Sequence, residues 1–184
     1  MHKVRYCKNM VNMDEKTSCL TPLEALDIAA ERLSIVRYVF LVQIEDGIAS
    51  ASQRSSLEYA DAVLMGWPDS DSNDVTIPDE TSFNNVLKNV RNMEKNIIKF
   101  SELERDHDID GMTSMLAKIS ESVAKIRGAY QPDFPLPTFA EIQRVVKDEW
   151  DEEMGNINPD SANVASGLVN ETQVEDKESE ANES

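Results

Sequence analysis

Apolar residues recur at alternating steps of three and four along four successive segments of the chain. This spacing places them on one face of an α-helix, with polar residues on the other face. The inward positions of the four predicted helices are Leu26, Ala29, Leu33, Val36 and Phe40; Leu57, Ala60 and Leu64; Phe83, Val86, Val90, Met93, Ile97 and Phe100; and Met112, Leu116, Ile119, Val123, Ile126 and Tyr130. We call each such apolar stripe a seam. Seams of this kind let helices pack nearly parallel, so the pattern predicts an up-and-down bundle of four main helices.

Capping boxes mark two of the predicted helix starts. A threonine followed three residues later by a glutamate opens the first helix at Thr21 and a short C-terminal helix at Thr138. The stretch from Ile35 to Ile44 is also rich in β-branched and aromatic residues, which is typical of a strand. We predict a helix there, because the cap and the period agree. The inward positions of the short fifth helix are Phe139, Ile142 and Val146, with Trp150 near its end.

The loss of periodicity sets the predicted domain boundaries. Residues 1–20 show no clear period and are expected to form a loose arm, and residues 21–154 are expected to form the helical-bundle domain. Residues 155–184 hold seven acids and one lysine with few apolar residues. A segment of that composition cannot bury enough apolar surface to become ordered. The sequence therefore predicts an all-α bundle followed by a disordered acidic tail.

The charge of the chain narrows the class of partner. It has 35 acidic and 18 basic residues, for a net charge of −17 at pH 7. Such a surface repels phosphate backbones and anionic membranes, so a basic protein is the expected partner, with no direct nucleic-acid or membrane binding. The longest apolar stretch, Leu33–Ile44, is 12 residues long and too short to span a bilayer. Because Cys7 and Cys19 form no CxxC motif and no apolar signal follows the N-terminus, a cytoplasmic location is expected.

An acidic segment between the third and fourth helices has part of a calcium-loop pattern. An EF-hand loop places oxygen ligands at positions 1, 3, 5 and 12 and a glycine at position 6. In the loop 106–117, the first three ligand positions and the glycine are present, but Ala117 stands at position 12. The matching residues are Asp106, Asp108, Asp110 and Gly111.

The loop 69–80 has the complementary defect. It supplies oxygen ligands early and Glu80 at position 12, but Asp74 occupies the glycine position. The two loops start 37 residues apart, so the chain resembles a degenerate EF-hand pair over Leu57–Ile126, which implies a calcium-binding module. The alternative is a pair of acidic helix connections, with Asp110 as the N-cap of the fourth helix. We prefer this alternative and predict no metal ligands, because neither loop keeps the full ligand set.

Residue types that carry catalysis are scarce. His2 and His107 are the only histidines, so a His/Cys zinc site cannot be assembled. Glycine-rich phosphate loops and the GxSxG motif are absent from the sequence. We expect His107 to be an exposed loop residue, and the basic row Lys88, Arg91, Lys95 and Lys99 to be the solvent-facing side of the third helix. The sequence thus predicts a protein that is not an enzyme and needs no cofactor.

Acidic residues are most concentrated near the end of the fifth helix, where five of them surround a tryptophan. The six residues are Asp148, Glu149, Trp150, Asp151, Glu152 and Glu153. An aromatic ring among carboxylates suits a surface that docks on a basic, partly apolar patch, although charge of this kind also serves solubility. We therefore expect a protein that binds a basic surface of a protein partner. Its sharper form is a nucleic-acid-mimicking inhibitor or regulator from a phage or other mobile element.

Overall fold

The computed structural model describes residues 20–44, 49–69 and 74–155, with side chains to residue 153. The regular structure in this part of the chain is entirely helical, which confirms the all-α prediction. The helices are α1 (Pro22–Ile44), α2 (Ala51–Leu64), α3 (Glu80–Arg105), α4 (Ile109–Tyr130) and α5 (Phe139–Gly155). The predicted arm, apart from Leu20, and the predicted tail beyond residue 155 lie outside the described residues. None of the helices described is both long and apolar enough to cross a membrane.

Both predicted capping boxes form, and the predicted seams form in three of the four main helices. The backbone N–H of Thr21 donates to the Glu24 carboxylate at 2.7 Å, and Glu24 N–H donates to the Thr21 hydroxyl at 3.3 Å. Thr138 and Glu141 make the equivalent pair at the start of α5. Every predicted inward residue of α1, α3 and α4 is buried except Ile97, which is partly buried.

The inward face of α2 differs from the prediction by about one position. Tyr59, Ala60 and Val63 reach the core, whereas Leu57 and Leu64 are only partly buried. Ser55 and Ser56 are also buried. Their hydroxyls donate to the carbonyls of residues 51 and 113, at 2.8 and 3.1 Å. A serine satisfied in this way occupies a seam position without the penalty of an unpaired polar group. A count of apolar residues alone therefore misses this face.

The four main helices alternate in direction, as an up-and-down bundle requires. The side chain of Arg37 in α1 pairs with Asp61 in α2, which brings the two antiparallel helices together. Phe40 in α1 packs edge-on against Phe100 in α3 with ring centroids 6.5 Å apart, and these two helices run in parallel. Helix α4 is central, since it packs against α3, α2 and α1. The order around the bundle is therefore α1, α2, α4 and α3.

This order makes the connection between α2 and α3 cross the C-terminal end of α4. Helices α2 and α3 both pack on α4, and the described parts of their connection, residues 65–69 and 74–79, leave α2 and reach α3 near this end of α4. The crossing is attached to α4 by a hydrogen bond from Thr76 N–H to the Tyr130 carbonyl, at 2.9 Å. Pro78 is buried at the far side of the crossing, just before Asp79 caps α3.

The first turns of α5 lie beside α2 and α4. The Phe139 ring packs against Tyr59 in α2 with centroids 5.4 Å apart, and Val146 is buried. The chain divides into two units between Lys147 and Asp148, within α5. The first unit therefore holds the bundle and the start of α5.

Candidate partner-binding surface and the acidic connections

The predicted partner-binding residues occupy the last turns of α5. All five carboxylate side chains, at positions 148, 149, 151, 152 and 153, are exposed, and Trp150 is partly buried. Because successive residues turn by about 100° around a helix, the carboxylates surround the axis on every side except that of the tryptophan. They belong to the second of the two units. The helix thus forms a negatively charged rod with one aromatic side rather than a single acidic face.

The electrostatics of this segment disfavour the helix that carries it. The C-terminus of a helix bears a partial negative charge, and carboxylates nearby raise its free energy by tenths of a kcal/mol each. Asp151, Glu152 and Glu153 occupy this position, and the last turn of α5 contains no basic residue. At the other end, Glu141 lies in the favourable first turn, and its hydrogen bonds with Thr138 lower the pKa of its carboxyl group. Local helix stability therefore explains Glu141 but not the C-terminal carboxylates.

The connection between α3 and α4 is a tight turn in which each aspartate serves a helix terminus. The N–H of His107 donates to the Glu104 carbonyl at 3.1 Å, and the N–H of Asp108 donates to the Leu103 carbonyl at 2.9 Å. These two bonds form the Schellman motif that ends many helices, with His107 in the left-handed position at φ 54°. Asp106 is the C-cap of α3.

The N-cap of α4 is Asp108, so the prediction of Asp110 at that position is wrong. The Asp108 carboxylate accepts from Gly111 N–H at 2.9 Å. Asp110 lies in the first turn instead, where its charge is favoured by the positive end of the helix. The error arises because Asp108 both closes one helix and opens the next, which a search for a separate loop does not anticipate.

Gly111 is required for close approach rather than for a turn. A Cβ atom at this position would lie 2.5 Å from Asp108 Oδ2 and 2.8 Å from Leu103 Cδ2. The glycine therefore leaves space for the capping carboxylate. An EF-hand glycine would instead permit a sharp turn within an open loop.

The geometry of 106–117 does not support an EF-hand loop. Helix α4 begins at Ile109, so positions 4 to 12 of the supposed loop are helical and cannot converge on one ion. In the described part of the chain, no three His, Cys, Asp or Glu side chains are grouped as metal ligands. Residues 70–73 of the other loop lie outside that part. Its last two residues, Asp79 and Glu80, are the N-cap and first residue of α3.

The basic row of α3 and the loop histidine lie where the sequence predicts. Lys88, Lys95 and Lys99 are exposed, Arg91 is partly buried, and His107 is exposed. Lys99 pairs with Glu102 of its own helix at 3.1 Å. These are surface positions, and exposed pairs of this kind contribute only about 0–1 kcal/mol.

An open groove of about 500 Å³ lies between α2, α4 and the start of α5. Among the residues that line it are Ser56, Thr113, Lys118, Glu121 and Phe139. The hydroxyls of Ser56 and Thr113 already donate to backbone carbonyls, at 3.1 and 2.7 Å. The charged side chains that line it, on Asp110, Lys118 and Glu121, are of both signs and exposed. The groove therefore does not define one chemical class of ligand.

Arg127, which the sequence patterns did not single out, is fully buried at the C-terminal end of α4. Its Nη1 donates to the carbonyls of Val63 and Met65 at 2.8 and 2.7 Å, and its Nη2 donates to that of Gly66 at 2.7 Å. Since α2 has no basic residue in its last turn, this guanidinium supplies the positive charge that a helix C-terminus favours. Burial lowers the pKa of Arg127. The signal available in the sequence is its spacing, four residues after the inward Val123.

The same guanidinium also contacts the connection that follows α4. Its Nε donates to the Gln131 side chain at 3.1 Å, and its Cζ lies 3.7 Å from the centroid of the Phe134 ring. The Trp67 ring is farther away, at 5.5 Å. We call Arg127 and these partners the Arg127 cluster. It joins the end of α2, the crossing connection and the start of the α4–α5 connection, and its role is structural.

Comparison with known proteins adds no family to this picture. No protein-family model, curated protein or solved structure matches the chain.

Proposed function

We propose that this chain is a non-enzymatic, acidic helical protein that binds a basic surface of a protein partner through residues 148–153. The observation that carries the proposal is the run of five exposed carboxylates around the partly buried Trp150, at a helix end without basic residues in its last turn. Carboxylates so placed repel one another and the helix terminus. A partner's lysines and arginines would relieve this repulsion, so binding and helix stability reinforce each other.

The proposed partner is a nucleic-acid-binding protein, and the proposed effect is inhibition or regulation. A groove that binds a phosphate backbone has a row of basic side chains, and a rod with regularly spaced carboxylates presents complementary charge. Trp150 would supply an aromatic contact of the kind that often dominates binding energy. Such a protein, encoded by a phage or other mobile element in this proposal, would compete with nucleic acid for the groove.

A defined basic probe tests the charge contact directly. In a Trp67→Phe background, Trp150 is the remaining tryptophan and reports binding of an oligo-arginine peptide through its fluorescence. We expect saturable binding that weakens as salt rises, because exposed charge contacts are screened over about 8 Å at physiological ionic strength. Lysine at positions 148, 149, 151, 152 and 153 should reduce the affinity at least tenfold.

The control variant has the same net charge as the variant with five lysines in residues 148–153. Five reversals to lysine at exposed acids elsewhere, at Glu31, Asp74, Asp106, Glu121 and Asp133, change the total charge equally. We expect this control to retain most of the affinity. If both variants lose affinity to the same extent, the protein attracts cations only through its total charge, and residues 148–153 are not a binding site.

The natural partner can then be sought with the two variants as matched baits. A protein captured by the native chain and by the control, but not by the 148–153 variant, is a candidate. Its complex should dissociate at high salt and in competition with DNA or RNA. A captured partner that is indifferent to salt, to the 148–153 reversals and to nucleic acid would contradict the proposal.

Calcium provides the test of the alternative function. A ligand that binds only the folded state stabilises it by about 2.7 kcal/mol at 100 times its Kd. We expect millimolar calcium to leave the melting temperature unchanged, because the aspartates of 106–117 serve helix termini. A rise of several degrees that Asp106→Ala or Glu80→Ala abolishes would favour the calcium-binding module instead.

A further inference from the structure

Helix α1 has apolar side chains on its outward side as well as in the core. Ile35, Tyr38 and Val42 follow one another at steps of three and four, with exposed fractions of 48%, 65% and 47%. At about 100° per residue, they lie opposite the buried Val36 and Phe40. We call Ile35, Tyr38 and Val42 the outer apolar face.

The first half of α1 shows what this surface would ordinarily contain. The same outward line passes through the exposed acids Glu24, Asp27 and Glu31, again at steps of three and four. A helix on the surface of a bundle is normally polar on its outward side. The line changes from acidic to apolar after Glu31, which marks the second half as a contact surface.

The outer apolar face is electrically neutral in a strongly acidic protein. From Leu33 to Ile44 there is no acidic residue, and the single base, Arg37, is held by Asp61 of α2. The preceding Arg32 pairs with Glu94 of α3 at 3.5 Å. With a net charge of −17 on each molecule, two copies repel each other least where carboxylates are absent.

We propose that the outer apolar face is the interface of a homodimer in which two α1 helices pack antiparallel about a two-fold axis near Tyr38. In this arrangement Ile35 of one copy faces Val42 of the other, and the two tyrosines meet at the axis. A two-fold interface must be complementary to itself, and this line of apolar side chains meets that condition because each contact pairs two apolar residues. A parallel pair would instead place Glu31 against Glu31, whereas the antiparallel pair directs the two acidic halves away from each other.

The size of the face sets the expected strength of the dimer. Leu41 and Ile98, which are 37% and 63% exposed, extend it on either side. Ile98 follows Glu94 by one turn of α3, on the side of the bundle where Glu94 reaches Arg32. Five such side chains bury on the order of 500 Å² per copy, below the about 800 Å² per partner of a standard stable interface. The dimer should therefore dissociate at micromolar concentration.

Sedimentation equilibrium of the full chain tests the proposal. The weight-average mass should rise from 20.7 kDa towards twice that value between about 1 µM and several hundred µM. The association should strengthen as salt is raised, because salt screens the repulsion between two acidic molecules. This direction is opposite to the one expected for the basic partner, so the two proposals can fail separately. A chain that stays monomeric over this range at low and high salt would refute the dimer.

Matched substitutions locate the interface. Tyr38→Glu should raise the dimer Kd at least tenfold, since each interface would bury two carboxylates. Met65→Glu and Ile77→Glu introduce the same charge at apolar residues that are 70% and 54% exposed outside the face. These controls should dimerise almost as the native chain does. Equal loss in all three variants would show that association depends on charge alone.

Cysteine cross-linking tests the antiparallel geometry. In a background with Cys7→Ser and Cys19→Ser, Tyr38→Cys places a thiol at the proposed two-fold axis in each copy. Mild oxidation should convert it rapidly to a disulfide-linked dimer, while Glu24→Cys should remain monomeric. Rapid cross-linking at residue 24, as a parallel pair would give, or none at residue 38 would overturn the proposed arrangement.

Discussion

The two ends of α4 are held in different ways. At the N-terminal end, the Schellman turn at His107 and the Asp108 cap involve residues close together in the sequence. At the C-terminal end, Arg127 and Tyr130 bond to residues about 60 and 108 positions away, in the α2 terminus and at the start of α1. A local cap stabilises by about 1 kcal/mol, whereas a buried network between distant segments contributes more. The fold should therefore be more sensitive to changes at the C-terminal end.

The largest effect is expected at Arg127. Arg127→Met removes three hydrogen bonds to backbone carbonyls of the α2 terminus and leaves those acceptors without this donor. The free energy of unfolding should fall by about 3 kcal/mol or more. Arg127→Lys should also destabilise, because one ammonium cannot reproduce the planar fork and its stacking on Phe134.

Urea unfolding monitored by circular dichroism provides the measurement for both variants. The control is Lys125→Met, which removes an exposed base on the same helix that pairs only with Glu121 in the described residues. It should change stability by no more than about 0.5 kcal/mol. If Arg127→Met is equally mild, the cluster does not hold the crossing connection in place.

A smaller effect is expected at Tyr130. Its hydroxyl donates to the Pro22 carbonyl at 2.5 Å in the core, so Tyr130→Phe should cost about 1–1.5 kcal/mol. Burial, with a further contribution from Asp27, raises the pKa of Tyr130 above its ordinary value. The unfolded tyrosine ionises near pH 10, so stability present below that pH is lost as the pH rises above it. The phenylalanine variant lacks this loss.

The difference between native and variant stability should accordingly shrink between about pH 8 and about pH 11. Urea unfolding at the two values measures it. Burial also raises the pKa of Tyr59, so both proteins will lose some stability in alkali. A difference that stays constant with pH would mean that Tyr130 ionises as easily in the folded protein as in the unfolded chain.

One glycine near each end of α4 provides the next comparison, Gly111 at the locally capped N-terminal end and Gly128 beside Arg127 at the C-terminal end. Gly128→Ala should stabilise by about 0.5–1 kcal/mol, because alanine favours a helix and nothing lies within 4 Å of the new Cβ. Gly111→Ala gains the same propensity but pushes on the Asp108 carboxylate and Leu103. It should destabilise by about 1 kcal/mol through loss of the cap. Thermal unfolding of the pair gives the comparison, and a stabilising Gly111→Ala would show that the cap is dispensable.

The smallest effect is expected at His107. This residue has a left-handed backbone with φ of 54°, which glycine adopts without the steric cost borne by other residues. His107→Gly should therefore stabilise by about 0.5 kcal/mol. Asp106→Gly, one residue earlier at φ −85°, should destabilise. Thermal unfolding distinguishes them, and the same sign for both would argue against backbone strain at position 107.

The contrast between local contacts and contacts between distant segments also explains which sequence predictions were right. The capping boxes at Thr21 and Thr138 depend on residues three apart, and both form. The α2 box between Ser50 and Gln53 forms as well, at 3.3 and 2.9 Å, although it was not predicted. The aspartates of 106–110 follow local rules too, and their alternate spacing resembled calcium ligands only because a C-cap and an N-cap stand two residues apart.

The sequence by itself determined the five helices, the seams of α1, α3 and α4, and the acidic end of α5, because periodicity, caps and charge act over a few residues. Only the tertiary structure decided that α4 lies between α2 and α3, that the connection crosses its end, and that Arg127 is buried there. Those features depend on which seams meet, and many pairings of similar apolar faces satisfy the same pattern. A charged residue is buried at low cost only where the fold supplies polar partners for it. Here the partners are carbonyls at the end of α2, about sixty residues earlier in the sequence.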